Sequence, residues 1–237
     1  MLANTNIDKY NNLQLYCSSH EGELYITEDK SVIIKVYYFD NIDPDSDSII
    51  KICDISVVVS KLIPNYVPKI HLKYVTNDYI ALVMERINGI SLNEYLALKR
   101  NYMIDTSYKI VISLHEAVIA FHDSGYIHGD LHGNNIIIYD DYKVKLIDFG
   151  ESDLVNSMSS SDENIPGIYQ DYLFLKYYIA LLIFPTLKMD SVVTVIKTIR
   201  DFTVKDVIGY YQFPELANEL YDILNSFPKA IEDNIDD

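Results

Sequence analysis

Residues 126–150 read YIHGDLHGNNIIIYDDYKVKLIDFG. Two acidic clusters stand in this stretch. The first is His128-Gly129-Asp130-Leu131, followed closely by Asn135, and the second is Asp148-Phe149-Gly150. Between them lie two apolar runs, residues 136–139 and 144–147, parted by the turn-forming pair Asp140-Asp141. Short apolar runs on either side of an Asp pair predict a β-hairpin. A hairpin returns its two flanks to one end of the structure, so Asp130, Asn135 and Asp148 are expected to converge. Two carboxylates and a carboxamide are hard oxygen ligands. They suit Mg²⁺ holding a phosphate chain better than zinc or copper.

The order and internal spacing of these clusters resemble the protein-kinase signature pair H-R-D-L-x-x-x-N and D-F-G. The resemblance implies that Asp130 orients an acceptor hydroxyl and takes its proton, and that Asn135 and Asp148 hold the metal ions of Mg-ATP. Two residues depart from the common pattern. Gly129 stands where most kinases have arginine, and His132 where serine/threonine kinases usually have lysine. The H-G-D-L-H wording is similar to viral, RIO-like and small-molecule phosphotransferase branches of the superfamily. Solvated aspartates on a surface hairpin would explain either motif alone, but not both in this order.

Upstream, SVIIKVYYF at residues 31–39 is rich in β-branched and aromatic residues and predicts a strand. Lys35 sits in its middle, where it must find an anion or lose solvation. A solvated strand face is the plain alternative. By the resemblance, Lys35 matches the V-A-I-K lysine that binds the α- and β-phosphates. Strands are also expected at residues 13–17 and 24–27. The turn between them holds a single glycine, Gly22, where kinases place a glycine-rich loop over the ATP phosphates. Glu21 and Glu23 in that turn would repel a triphosphate. A helix is predicted over residues 46–62, with Ile50, Cys53 and Val57 at helical spacing. Kinases carry a glutamate here that pairs with the strand lysine. This helix has none, so Asp54 is assigned as the partner of Lys35. Strands at 70–75 and 79–84 lead to a segment resembling the kinase hinge. There Met84 would line the back of the adenine pocket, and Glu85 and Ile87 would offer backbone groups to the adenine edge.

A short helix capped by Ser91 is expected next. A longer one over residues 105–124 shows an apolar stripe of Ile110, Val111, Leu114, Val118 and Phe121. His115 and His122, on this helix, are read as surface or packing residues rather than ligands. Residues 152–167 are rich in Ser, Asp and Asn, lack an A-P-E motif and read as a mobile loop. With Gly129 lacking a guanidinium, activity independent of loop phosphorylation is expected. Asp171 is read as the start of an apolar helix ended by Pro185. By the resemblance it braces the catalytic-loop backbone. Amphipathic helices are predicted over residues 190–202 and 214–227, and residues 231–237 are acidic and expected to fray.

The formal net charge of −16 argues against nucleic-acid binding and against docking on anionic membrane, and it is compatible with a basic peptide or protein substrate. Two cysteines, Cys17 and Cys53, and a polar opening stretch not read as a signal peptide point to a reducing, cytoplasmic setting, which includes the inside of a host cell. The expected fold is α+β, a two-lobed protein-kinase-like domain spanning residues 1–237. Its N-lobe, about 1–87, is a small antiparallel sheet with one helix, and its C-lobe, about 88–237, is shortened and mainly helical. The expected function is an ATP-dependent phosphotransferase using Mg²⁺, a serine/threonine protein kinase acting on a protein hydroxyl. Two alternatives stay open: a small-molecule kinase of the aminoglycoside or choline type, and a nucleotide-binding pseudokinase scaffold. Oligomeric state is not legible.

Overall fold

A computed structural model of the chain describes residues 10, 12–18, 22–39, 46–98, 104–155, 167–184, 187, 189–199 and 214–227. The chain divides into two compact units, Met1–Ile87 and Asn88–Asp237.

The first unit is built on five antiparallel strands: β1 (Gln14–Ser18), β2 (Glu23–Ile26), β3 (Val32–Tyr38), β4 (Ile70–Val75) and β5 (Tyr79–Glu85). Their order in the sheet is β1-β2-β3-β5-β4. Alternation along β3 sorts its side chains onto two faces. Ile34 and Val36 join Tyr79, Ala81 and Val83 in one buried cluster. On the other face, Tyr37 packs with Ile80, Leu82 and two residues of helix α1 (Ser46–Leu62), Ile49 and Cys53. Lys35 is in register with Leu82 and so lies on the face that α1 covers. The helix is fastened to β4 by buried Ser60, whose hydroxyl accepts the Ile70 N–H at 2.8 Å.

Strand β2 enters the sheet through Gly22, at φ +152°. A Cβ at this position would stand 2.1 Å from the Val36 carbonyl oxygen, so glycine is required by packing on β3. Glu21, expected to repel phosphate, lies outside the described residues. Glu23 is engaged by its neighbours: the hydroxyls of Tyr25 and Tyr38 both donate to its carboxylate, at 2.6 and 2.7 Å. Those bonds hold its pKa below the usual carboxylate range.

The second unit is mainly helical. Strand β6 (Ile90–Ser91) leads into α2 (Leu92–Ala97), then α3 (Ile104–Asp123), β7 (Tyr126–Ile127), β8 (Ile136–Tyr139), β9 (Lys143–Leu146), β10 (Asp153–Leu154), α4 (Gly167–Ile183), α5 (Val192–Ile199) and α6 (Pro214–Asn225). All five apolar residues expected to form the α3 stripe are buried. The expected hairpin forms, with Ile136 opposite Leu146 and Tyr139 opposite Lys143. Its turn is a 3-10 segment, Asp140–Tyr142, in which Asp141 takes φ +52° and Tyr142 φ +64°. Helix α4 begins at Gly167 rather than at Asp171, which therefore sits inside the helix and not at its start. Periodicity could not show this, because the residues ahead of Asp171 lack an apolar run. The stretch from 152 is not wholly a loop, since β10 pairs antiparallel with β7. The serines at 157 and 159–161 lie outside the described residues. No helix among the described residues is long and apolar enough to cross a membrane.

Helix α2 carries a reciprocal cap. Ser91 Oγ accepts the Glu94 N–H at 3.1 Å, and the Glu94 carboxylate accepts the Ser91 N–H at 2.8 Å. Ser91→Ala is expected to lower stability by about 1 kcal/mol, read as a lower urea midpoint at unchanged slope. Glu94→Ala in the Ser91→Ala background should add little.

Candidate active site

The stretch His128-Gly129-Asp130 is held from beneath by one carboxylate. Asp171 is fully buried in α4. Its Oδ2 accepts the His128 N–H at 2.7 Å and contacts His122 Nε2 at 2.9 Å, while its Oδ1 accepts the Gly129 N–H at 3.0 Å. A buried carboxylate is tolerated only when its lone pairs are met by donors, and three donors meet this one. The bracing role expected of Asp171 is thus present in the geometry. Of the two readings of His122, surface or packing, the structure shows the second: it is buried, edge-on to Tyr172, and a partner of that carboxylate.

His128 ties the loop to the arm that carries Asp148. Its Nδ1 lies 3.3 Å from the Asp130 N–H, so Nδ1 is the acceptor and the ring proton sits on Nε2, facing the Ile147 carbonyl at 3.1 Å. Burial holds this imidazole below the ordinary histidine range, opposed by the charges of Asp171, Asp130 and Asp148 and by the Ile147 bond. The ring packs among Phe121 and Phe149, with centroids 5.6 Å from each, and those two phenyl rings are 5.4 Å apart.

Asn135 makes the second tie. Its backbone carbonyl accepts the Ile147 N–H at 2.9 Å. Its Nδ2 donates to the Asp130 carbonyl at 3.0 Å and to Asp130 Oδ2 at 3.1 Å. With both amide hydrogens committed, the atom Asn135 can still offer is Oδ1, a hard oxygen. Asp148 follows Ile147 directly and takes φ +63°, a left-handed conformation costly for a residue with a Cβ. The neighbouring bonds at Ile147 hold it there. Asp130, Asn135 and Asp148 are therefore gathered by the hairpin. Among the described residues no group of three or more His, Cys, Asp and Glu forms a metal centre. The oxygen set here includes an asparagine, and its chemistry fits Mg²⁺.

Gly129 adopts φ +80°, and a Cβ on it would stand 2.2 Å from the Glu151 carbonyl oxygen. The chain after Gly150 thus closes directly onto the loop. Buried Ser152 donates its hydroxyl to the His128 carbonyl at 2.9 Å, and the Val155 N–H reaches the Gly125 carbonyl at 3.0 Å. Sequence reasoning missed Ser152, because a serine in a polar stretch carries no signal of burial. It noted His132 without giving it a role, yet His132 Nε2 stands 3.3 Å from Asp130 Oδ2.

In the first unit, Lys35 is half-buried in β3 with its ammonium 5.0 Å from the Tyr37 ring centroid. Its assigned partner needs correction. The Asp54 carboxylate pairs with Lys73 of β4 at 2.7 Å. The Asp54 side chain is 62% exposed, outside the buried stripe of α1, and the short aspartate reaches the edge strand beside it. Between the helix and sheet lies Cys53, whose thiol burial pushes up to about 12. Met84 packs on the α1-covered face of the sheet. The Glu85 N–H is taken by the Lys69 carbonyl at 2.9 Å. Ile87, just past the strand, makes no backbone hydrogen bond to another described residue.

The sequence matches the family described as Protein kinase domain over residues 24–181. The chain belongs to the protein kinase family. Calcium/calmodulin-dependent protein kinase type 1 of Caenorhabditis briggsae is 31% identical over 98 residues, covering 40% of this chain and 28% of that kinase. Serine/threonine-protein kinase ppk11 of Schizosaccharomyces pombe is 24% identical over 163 residues, covering 67% of this chain and 51% of its own length. EKC/KEOPS complex subunit BUD32 of Enterocytozoon bieneusi is 30% identical over 178 residues, covering 70% of this chain and 82% of that subunit. The match thus spans between about a quarter and a half of these two longer kinases, and most of BUD32.

Within this kinase domain, Asp171→Ala should cost about 3–5 kcal/mol of stability, since it strands buried N–H donors; chemical denaturation reads the loss. A second expectation concerns pH. The unfolded chain takes up a proton at His128 as pH falls below about 6.5, whereas the folded chain resists it. Stability from this residue is complete above that value and is lost as pH falls toward the depressed folded value. Melting temperature should therefore drop between pH 7.5 and 5.5, and His128→Gln should show a shallower drop from its own lower starting point.

Proposed function

We propose that this protein is an ATP-dependent phosphotransferase, a serine/threonine protein kinase that moves the γ-phosphate of Mg-ATP to a protein hydroxyl. The observation that carries this reading is the commitment of Asn135 to Asp130. It presents an amide oxygen beside the arm bearing Asp148 and orients a half-exposed carboxylate next to both. Asp130 aligns the acceptor hydroxyl and takes its proton. The hydroxyl oxygen bonds to the γ-phosphorus while the bond to the β–γ bridging oxygen breaks, and ADP leaves with that electron pair. Asn135 Oδ1 and the Asp148 carboxylate hold Mg²⁺, which supplies charge neutralisation on the phosphates when bound. Lys35 serves the α- and β-phosphates. Met84 borders the adenine, and Glu85 and Ile87 meet its edge through backbone groups. Gly22 lets the loop ahead of β2 approach the phosphates. Asp54 drops out of the nucleotide set, because Lys73 holds its carboxylate.

The acidic balance of the chain is compatible with a basic protein substrate, and the two cysteines with a cytoplasmic setting. Two observations favour other readings. Gly129 gives the H-G-D wording shared with small-molecule kinases. The engagement of Asp54 by Lys73, with a single glycine at the β1–β2 turn, favours a nucleotide-binding scaffold. Labelled ATP offered with a basic protein, with a panel of small alcohols and with no acceptor separates the three. Transfer to the protein alone supports the leading reading, and nucleotide binding without transfer rejects it.

Asp130→Ala should lower the transfer rate by about 10²–10⁴-fold with ATP still bound; full activity in that variant would refute the role. Asp148→Ala should abolish the Mg²⁺-dependent part of the thermal stabilisation by ATP, measured as melting shifts with and without the metal.

A further inference from the structure

We propose that Tyr178 is a positioning residue for the loop between Asp130 and Asn135. Its hydroxyl accepts the N–H of Gly133 and so fixes the turn that aims the Asn135 amide oxygen. This inference rests on the phosphotransferase reading of the same site.

Gly133 lies inside that loop with both of its backbone groups committed to helices. The Tyr178 hydroxyl of α4 accepts its N–H at 2.5 Å. The Asn93 N–H, in the first turn of α2, donates to its carbonyl at 3.2 Å. The Asn93 side chain closes the same flank. Its Nδ2 donates to Asn134 Oδ1 at 3.0 Å, and its Oδ1 is so close that a Cβ at position 133 would stand 2.2 Å away. That Oδ1 is buried, and no donor among the described residues reaches it. Only a residue without a Cβ fits between the two helices. Tyr178 follows Asp171 by about two helical turns and so lies on the same side of α4. The helix therefore meets the loop at two points, Asp171 at His128 and Gly129, and Tyr178 at Gly133.

A phenol buried in an apolar helix needs a partner for its hydroxyl, and the loop supplies one. Burial pushes this phenol up to about 12, so it is neutral and takes the N–H without bringing a second charge near Asp130. Asp130 and Asn135 stand on either side of Gly133 and are bonded to each other through Asn135 Nδ2. The turn between them is closed by the His132 N–H on the Asp130 carbonyl and the Asn135 N–H on the His132 carbonyl, both at 2.8 Å. Those bonds are internal to the loop, whereas the Tyr178 hydroxyl ties it to α4. Without that oxygen the buried Gly133 N–H loses its acceptor. The turn can then shift, and Asn135 Oδ1 shifts with it. Groups that hold a metal-binding oxygen in place act on metal affinity and on rate together.

The test compares Tyr178→Phe with Tyr108→Phe. The first keeps the ring and removes only the oxygen that meets the loop. The second removes a hydroxyl that donates to Glu219 at 2.7 Å on the exposed surface. Transfer from labelled ATP to a basic protein is followed at varied Mg²⁺. Tyr178→Phe should lower kcat by roughly 10–100-fold and raise the Mg²⁺ concentration for half-maximal rate by about 10-fold, while Tyr108→Phe keeps both within about twofold. Wild-type kcat and Mg²⁺ dependence in Tyr178→Phe, with Asp130→Ala inactive, overturn the positioning role and leave the phosphotransferase reading intact. Full activity in Asp130→Ala, or no transfer by the wild-type protein, overturns that reading instead. Amide NMR and hydrogen exchange of the nitrogen-labelled protein decide the bond with neither nucleotide nor metal present. The Gly133 N–H should exchange slowly in the wild type, and in Tyr178→Phe it should exchange faster with its proton signal moved upfield. A Gly133 amide unchanged by Tyr178→Phe sinks the proposal.

Discussion

A carboxylate with no access to water organises the second unit. Asp171 could not be buried in an apolar helix unless donors surrounded it, and the donors it finds are the backbone of residues 128 and 129 and the ring of His122. The constraint works in both directions. The helix needs the loop to satisfy its charge, and the loop owes its shape to the helix. Everything placed by that loop, including Asp130 and the stack of Phe121, His128 and Phe149, inherits the precision of three short polar contacts.

Around this point the chain joins its chemical groups by backbone rather than by charge. Ile147 is bonded through its N–H to Asn135 and through its carbonyl to His128, so the residue after it is held in a conformation it would not choose alone. The absence of a side chain at position 129 admits the carbonyl of Glu151 into the space an arginine would cross. Ser152 then closes the same gap with a neutral hydrogen bond. Together these contacts fasten the start of the segment after Gly150 to the loop.

The first unit shows where pattern reading stops. Lys35 was placed on the correct kind of strand, and alternation put it on the face that α1 covers. Its pairing with Asp54 did not follow, because helical phase decides which strand a carboxylate faces, and Asp54 faces the edge strand and Lys73. Gly22 is expected as a phosphate-loop glycine, and its close approach to the Val36 carbonyl is a further demand for glycine. Ser152 stands in a polar stretch read as a loop and is buried, and His122, read as a surface or packing residue, is buried against Asp171. In each case the deciding partner is distant along the chain, and no local spacing announces it.

Local order was legible: the two apolar runs around Asp140-Asp141 had to pair as a hairpin, and the apolar stripe of α3 had to face a core, because each follows from the repeat of one short segment. The grouping of Asp130, Asn135 and Asp148 was legible for the same reason, since a hairpin joins its own ends. Only the tertiary structure could decide which buried group answers which, as with Asp171 beneath His128 and Gly129, or Lys73 on Asp54. Those choices depend on where separate elements come to rest, and a buried charge takes whichever donor packing brings within reach.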